Sequence, residues 1–450
     1  MKTIFVTLPY YYTYRNFILS GLAEELSNYH RVIVAAHHDI VINERLRTLP
    51  NIEFITLEKD SFLQKIANKI FTIASYRLLR IQNTKTFQEK YLSETRGFYK
   101  IKRFFFLFPF SRSKKILHFL IFVINELSKL STVKRQLKSY DPDLYISTVA
   151  HRPLEVSYLS IAKFLKIKSL TVINSWDVIS TKGSFLIQTD YYFVWNNQNK
   201  EELINLVLAP LNRKSVIKVV GAPHFDKYIQ YQKESINTNA PKDQVEKILY
   251  TTSPLFIFPN EILLLKELAC YFQNQGKSPR KELTIRIHPQ AFEDFKELQT
   301  WNYKNVLICF PSSKQSQTED KAFFEESFFD SLSDQISSSS KVLNTASTIT
   351  LDSLAFSKTV GNIIFDNISK PTHNTYHKSI IRLYDRDHYK PVISSGFVEQ
   401  INSFEELIEF IERPSKSQNS DIKKYQDLFL PFLGKSQQRF IEEINNILNY

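Results

Sequence analysis

Glycine is scarce in this chain, with eight residues in 450. No GxGxxG and no GxxxxGK[ST] occurs, so neither the dinucleotide fingerprint nor the P-loop cradle is available. A phosphate site must instead be built from helix N-termini, hydroxyls and cationic side chains. Cysteine is nearly absent as well. Cys270 and Cys309 lie far apart without metal-ligand spacing, which excludes a disulfide framework and fits a reducing, cytoplasmic setting. Long apolar runs are missing too: the longest, near Ile116–Ile124, is too short to span a bilayer and contains His118. The opening stretch Met1 to Pro9 reads as a first strand, broken too early for the apolar core of a signal peptide. A soluble protein, or one peripheral on the inner face of the cell membrane, is expected.

Positive charge and aromatic residues are plentiful. The formal net charge is +12, and there are 36 Phe and 23 Tyr. Many basic residues fall between Lys65 and Lys138: Arg77, Arg80, Arg96, Lys100, Lys102, Arg103, Arg112, Lys114 and Lys115, interleaved with Phe104–Phe110. This distribution matches neither a recognition helix nor a known RNA module, so nucleic acid is not expected as a partner. Lys and Arg beside Phe clusters suit an anionic membrane surface. The other reading is a solvated helical insertion whose Phe residues face the core.

A chain this long implies two domains. Ile4–Leu8, Val32–Ala36 and Asn51–Leu57 read as strands, with helical spacing over Phe17–Leu26. A largely helical insertion, about residues 60–138, follows. Strands Leu144–Ser147, Leu170–Ile173, Tyr191–Trp195 and Val216–Val220 then alternate with helical patterns. The chain turns polar from Gln232 to Val245, the best linker candidate. Alternation restarts with strands Lys247–Tyr250, Leu283–Ile287, Val306–Cys309, Val342–Leu343 and Val360–Phe365, and Asp421–Leu448 reads as helix. Alternating strand and helix predicts an α/β protein with two parallel-sheet, Rossmann-like domains. The expected divisions are 1–228, a linker at 229–245, 246–420, and a C-terminal helix at 421–450 packing back on the first domain.

Polar residues stand just past several strands, the edge at which open parallel sheets bind ligands. After the strand ending near Ile173 come Asn174-Ser-Trp-Asp177 and Thr181-Lys182-Gly183; Tyr191–Asn196 and Val219–Asp226 follow. This series resembles the N-terminal half of bacterial GT-B glycosyltransferase-like proteins of surface-polysaccharide synthesis. These are related, more distantly, to CDP-glycerol glycerophosphotransferases and UDP-N-acetylglucosamine 2-epimerases. Ile285–Gln290, Leu343–Asp366 and His388–Ile411 resemble the second half of the same group, in the same order. The resemblance covers most of the chain outside about residues 60–135. It implies two domains facing a central cleft, a nucleotide-activated sugar donor, and a glycan or lipid-linked acceptor. It implies no cofactor and no metal. Two other readings stand: a polyol-phosphate transferase of the CDP-glycerol type, and a non-catalytic membrane-surface or nucleic-acid-binding protein that keeps the fold.

On this resemblance, Ser347 and Thr348, between a strand and a helix, are donor-phosphate candidates; ordinary N-capping is the competing explanation. His288, fixed by Pro289 at a strand end, occupies the place where similar families put a His-Pro dipeptide against the donor, and Arg286 precedes it by two residues on the same face. Thr251, Thr252 and Ser253 line the same expected cleft, although turn chemistry also accounts for them. An inverting sugar transfer needs a base against the acceptor hydroxyl. Asp177 is the candidate, with His151 its rival, and Lys182 would contact donor phosphate or hold Asp177. Trp176, Tyr10 and Arg15 are acceptor candidates, against the alternative that the aromatic rings are core. Asp141-Pro-Asp143 and Asp385-Arg-Asp387 mimic a DxD metal motif, but the first precedes its strand and the second sits in a late basic loop. His37-His38-Asp39 ends a strand and lacks a partner at metal spacing, so it reads as structural or acceptor-facing.

Overall fold

The computed structural model describes residues 1–40, 42, 44–58, 61–82, 84–86, 113–236, 245–274, 281–311, 328–366, 379–414 and 421–449. Arg96–Arg112, with the Phe104–Phe110 run, lie outside the described residues, as does most of the polar stretch after Ile236. The chain forms two compact units. One comprises Met1–His224 with Lys435–Tyr450, and the other Phe225–Gly434.

The first unit is built on a seven-stranded parallel sheet in the order β3-β2-β1-β4-β5-β6-β7. The strands are β1 Thr3–Leu8, β2 Arg31–Ala36, β3 Ile52–Thr56, β4 Leu144–Ser147, β5 Lys168–Val172, β6 Tyr191–Val194 and β7 Val216–Val219. The central strands are apolar on both faces because helices cover both. On one face the insertion helices Phe62–Gln82, Lys114–Ser128 and Val133–Tyr140 join Pro153–Phe164. Phe71, Leu78, Leu117, Ile124, Leu137 and Leu159 form that core. On the other face Phe17, Leu22 and Leu26 meet the C-terminal helix Ser436–Asn449 through Phe440 and Ile444. The Phe193 and Phe440 rings pack edge to face at 5.0 Å. Glu443 on that helix is buried and held by Lys218 at 3.0 Å and Arg439 at 2.6 Å.

Two expected helices are broken. The pattern over Phe17–Leu26 becomes a π-helical turn, Arg15–Leu19, then a stop at Gly21 (φ +85°), then the helix Leu22–Ser27. The C-terminal pattern splits at Phe432 and Gly434, both with positive φ, into Ile422–Phe429 and Ser436–Asn449. These two helices belong to different units. The polar stretch from Gln232 is helical as far as Ile236, within the helix Asp226–Ile236.

The second unit carries a six-stranded parallel sheet in the order β10-β9-β8-β11-β12-β13. Its strands are β8 Glu246–Thr251, β9 Lys281–Arg286, β10 Val306–Cys309, β11 Lys341–Asn344, β12 Thr359–Ile363 and β13 Glu399–Ile401. Gly361 in β12 admits no side chain, since a methyl group there meets Ile401 Cδ1 at 2.6 Å and Leu343 Cδ2 at 2.9 Å. At the amino edge, two buried lysines cap the last turn of the helix Phe404–Glu412. Lys341 Nζ donates to the Ile411 carbonyl at 2.7 Å, and Lys281 Nζ to the same oxygen at 3.1 Å and to Glu412 at 2.6 Å. Cations are favoured there by the helix dipole.

Strand order reverses between β1 and β4 in the first sheet and between β8 and β11 in the second. Loops leaving neighbouring strands part at such a point, opening a crevice at the carboxyl edge where ligands bind. Both crevices are lined by the polar loops picked out in the sequence.

Candidate functional site

In the first unit, the loops after β1, β4, β5 and β7 converge. Thr148 Oγ1 donates to the Thr7 carbonyl at 2.7 Å, closing the reversal point between β4 and β1. The Arg152 guanidinium lies over the Tyr10 ring at 5.5 Å, joining two of the loops again. Asn16 donates to the Asn174 carbonyl at 2.9 Å, and Arg15 Nε donates to Asn16 Oδ1 at 2.9 Å. Arg15 begins the π-helical turn, a distortion frequent at functional sites.

The two candidate bases sit in this setting. Asp177 is half-buried, with Oδ1 accepting from the Ser175 hydroxyl and Oδ2 from Thr181 at 3.2 Å. It begins the short helix Val178–Lys182 without a side-chain cap bond, so N-capping does not explain it. Lys182 closes that helix, half-buried. His151 is buried, edge-on to Phe185 at 5.9 Å, and its carbonyl accepts from Ser184 at 3.2 Å. Trp176 is only 2% exposed and its carbonyl accepts from Asn199 at 2.7 Å. The ring expected to stack on an acceptor is therefore a core residue, because the chain turns it under the loop. Tyr10, stacked on Tyr12 at 5.5 Å, retains partial exposure.

In the second unit, the loops after β8, β9 and β11 are tied together. Ser253 Oγ and Thr345 Oγ1 lie 2.7 Å apart across the reversal point. Thr252 Oγ1 accepts the His288 amide at 2.9 Å, and Thr252 donates its own amide to the Arg286 carbonyl at 3.0 Å. Thr251, Thr252 and Ser253 are all buried. The Gln290 amide donates to His288 Nδ1 at 3.2 Å, so a neutral ring carries its proton on Nε2. The buried Ser347 Oγ has no hydrogen-bond partner among the described residues, a condition that native interiors rarely leave unanswered.

Two expectations change here. The helix after Thr348, Ile349–Ala355, has seven residues, and the amides of Thr350 and Leu351 already bond to the Ser347 and Thr348 carbonyls. Those two amides are thus committed within the turn itself. Arg286 does not share a polar face with His288 alone. Its guanidinium donates to Gln335 at 2.7 Å and Ser331 at 3.2 Å on the helix Phe328–Ser338, bracing that helix against β9.

Three further residues were not singled out in the sequence. Glu155 on Pro153–Phe164 is fully buried and accepts from Thr7 at 2.8 Å, Tyr145 at 3.1 Å, the Thr148 amide at 3.3 Å, and Ser147. Burial pushes its carboxyl up to about 7, against those hydrogen bonds. Glu261 repeats the arrangement in the second unit, accepting from Tyr250 at 3.0 Å and from the Ser253 amide at 2.9 Å. Burial raises its carboxyl well above the usual range. The shared signal is a strand Tyr followed by a Glu ten or eleven residues later. His224, after β7, packs on Trp195 at 5.1 Å. Burial, and secondarily the Arg15 charge, holds its ring well below the ordinary imidazole range, so it is neutral near pH 7.

The turn after β2 brings His37, His38 and Asp39 into mutual contact, although adjacent positions carry no metal spacing in sequence. Of the DxD-like pairs, Asp143 binds Lys2 at 2.8 Å and the Thr3 amide at 2.8 Å, at the edge away from the crevice.

No protein-family model and no curated protein matches the sequence. Solved structures share its fold over their whole length. A UDP-GlcNAc 2-epimerase from Neisseria meningitidis, bound to UDP-GlcNAc, superposes with a TM-score of 0.52 at 13% identity, covering 99% of this chain and 100% of that one. MnaA of S. aureus, in a co-structure with UDP, gives 0.54 at 12% identity, covering 100% and 97%. The Methanocaldococcus jannaschii UDP-GlcNAc 2-epimerase, in complex with UDP-GlcNAc and UDP, gives 0.52 at 13%, covering 99% of both. With its two parallel sheets, the chain has the GT-B fold these proteins share.

Proposed function

We propose that this chain is an enzyme that moves a sugar from a nucleotide-activated donor to a glycan or lipid-linked acceptor, without a metal at the transfer centre. The observation that carries the reading is the tie between Ser253 and Thr345, which closes the reversal point of the second sheet into one hydroxyl-lined edge beside His288. As the bond from the anomeric carbon to the donor phosphate breaks, the nucleoside diphosphate departs and negative charge grows on its phosphate oxygens. His288 Nε2–H and the hydroxyls of Ser347, Thr348, Ser253 and Thr252 are donors of the kind that stabilise such charge. Full-length likeness to structures that hold UDP-GlcNAc or UDP supports a nucleotide sugar as the ligand.

The acceptor belongs to the first unit, near Tyr10 and Arg15. Asp177 or His151 removes the hydroxyl proton as that oxygen attacks the anomeric carbon, and Lys182 balances charge at the same edge. A peripheral membrane position suits a lipid-linked acceptor. Lys114 and Lys115 open an insertion helix on which Phe119 and Phe122 are 62% and 58% exposed. No helix among the described residues is by itself long and apolar enough to cross a membrane.

The likeness to 2-epimerases favours a second reading, in which the donor sugar is rearranged with no acceptor. Thermal shift with UDP, CMP, CDP and GDP identifies the nucleotide. Donor consumption is then followed with and without acceptor. Transfer requires the acceptor, whereas epimerisation proceeds without it.

A further inference from the structure

We propose that the turn after β2 is a site for one divalent transition-metal ion of the zinc class, held by His37, His38 and Asp39. This inference is independent of the donor reading. The His37 Nδ1 atom lies 3.4 Å from Asp39 Oδ2, and His38 Nε2 lies 3.2 Å from Asp39 Oδ1. The imidazole centroids are 4.1 Å apart, and one ligand atom from each residue falls within 4.8 Å of the others. Tetrahedral zinc with bonds of about 2.0–2.1 Å separates its ligand atoms by roughly 3.3 Å, so small side-chain rotations bring all three onto one ion.

The turn is anchored where a metal site needs it to be. The His37 amide donates to the Leu8 carbonyl at 3.2 Å, and the Ile40 amide donates to the His37 carbonyl at 2.9 Å. Ile40 is buried in the core, and the Tyr11 hydroxyl donates to the Asp39 carbonyl. The Asp39 amide donates to His37 Nδ1 at 3.3 Å, a long bond that the ion would replace. Two imidazole nitrogens and one carboxylate oxygen suit zinc, cobalt or nickel rather than magnesium or calcium. Three protein ligands leave a position for water or for an oxygen of a bound molecule.

The test uses the full-length, metal-stripped protein. Co²⁺ is titrated with visible absorption as the readout, and Zn²⁺ by calorimetry. One equivalent is expected to bind, and His38→Ala and Asp39→Asn are each expected to weaken binding by about 10-fold or more. Both side chains are more than half exposed (60% and 58%), so the variants should melt like the parent. Should His38→Ala fail to fold, Asp39→Asn carries the comparison. The absence of a saturable Co²⁺ site overturns the proposal. So does a site of unchanged affinity in a folded variant, because the ion would then be held by other histidines.

Discussion

Thr7 donates its hydroxyl to the Glu155 carboxyl at 2.8 Å across the point where the first sheet reverses its strand order. This buried contact links β1 to the helix after β4, and its strength depends on pH. Burial moves the Glu155 carboxyl from 4.5 to about 7, so the folded state holds a proton that the unfolded chain releases. The resulting stabilisation is complete below about pH 4.5 and is lost as pH rises towards 7. At 1.36 kcal/mol per pH unit the span amounts to about 3 kcal/mol. Glu155→Gln should flatten this dependence. Urea unfolding at pH 5, 6, 7 and 8 checks it, and parallel curves for parent and variant would remove Glu155 from the account.

The lysine cap at the amino edge of the second sheet predicts a stability effect. Lys341→Met keeps the aliphatic stem but strips the Ile411 and Arg413 carbonyls of a charged donor. Hydrogen bonds of that kind are worth roughly 1.5–3 kcal/mol. Denaturant titration should show a loss of that size, and a loss below about 0.5 kcal/mol would mean that the neighbouring Lys281 suffices.

For the base, Asp177→Asn should lower turnover by about 10²–10⁴ while donor binding persists. The substitution keeps the shape, and its amide can still accept from Ser175 or Thr181. Near-normal turnover would transfer the role to His151, or to His224, whose neutral ring also suits a proton acceptor.

Vesicle sedimentation tests the peripheral reading. Exposed cations near an anionic surface contribute on the order of 1 kcal/mol each, so Lys114→Ala with Lys115→Ala should reduce partitioning roughly 30-fold. High salt should mimic the double variant. Absence of binding by the parent protein would favour a soluble acceptor.

Much of the fold was legible because buried parallel strands are short apolar runs that stop at polar residues. Val32–Ala36, Leu144–Ser147 and Val342–Leu343 could be read on that basis. The breaks inside helical patterns were not, since the bulge at Arg15 and the stop at Phe432 answer to packing that no periodicity encodes. Among the candidate site residues, His288 and Ser253 were visible as polar groups just past strands. Trp176, which the sequence left open between an acceptor contact and the core, is buried. Glu155 and Glu261 were hidden for a different reason: each sits in the first turn of a helix, where a Glu ordinarily faces solvent, and its partners, a strand Tyr and the hydroxyls and amides of the neighbouring loop, come together only in the fold.

Nucleotide affinity of the parent and of His288→Ala, measured by calorimetry on folded protein, tests the central claim most directly. The account predicts that the parent binds a nucleoside diphosphate and that the variant loses roughly 1.5–3 kcal/mol, a weakening of about 10- to 150-fold. Equal affinity in the two proteins, or no nucleotide binding by the parent, would contradict it.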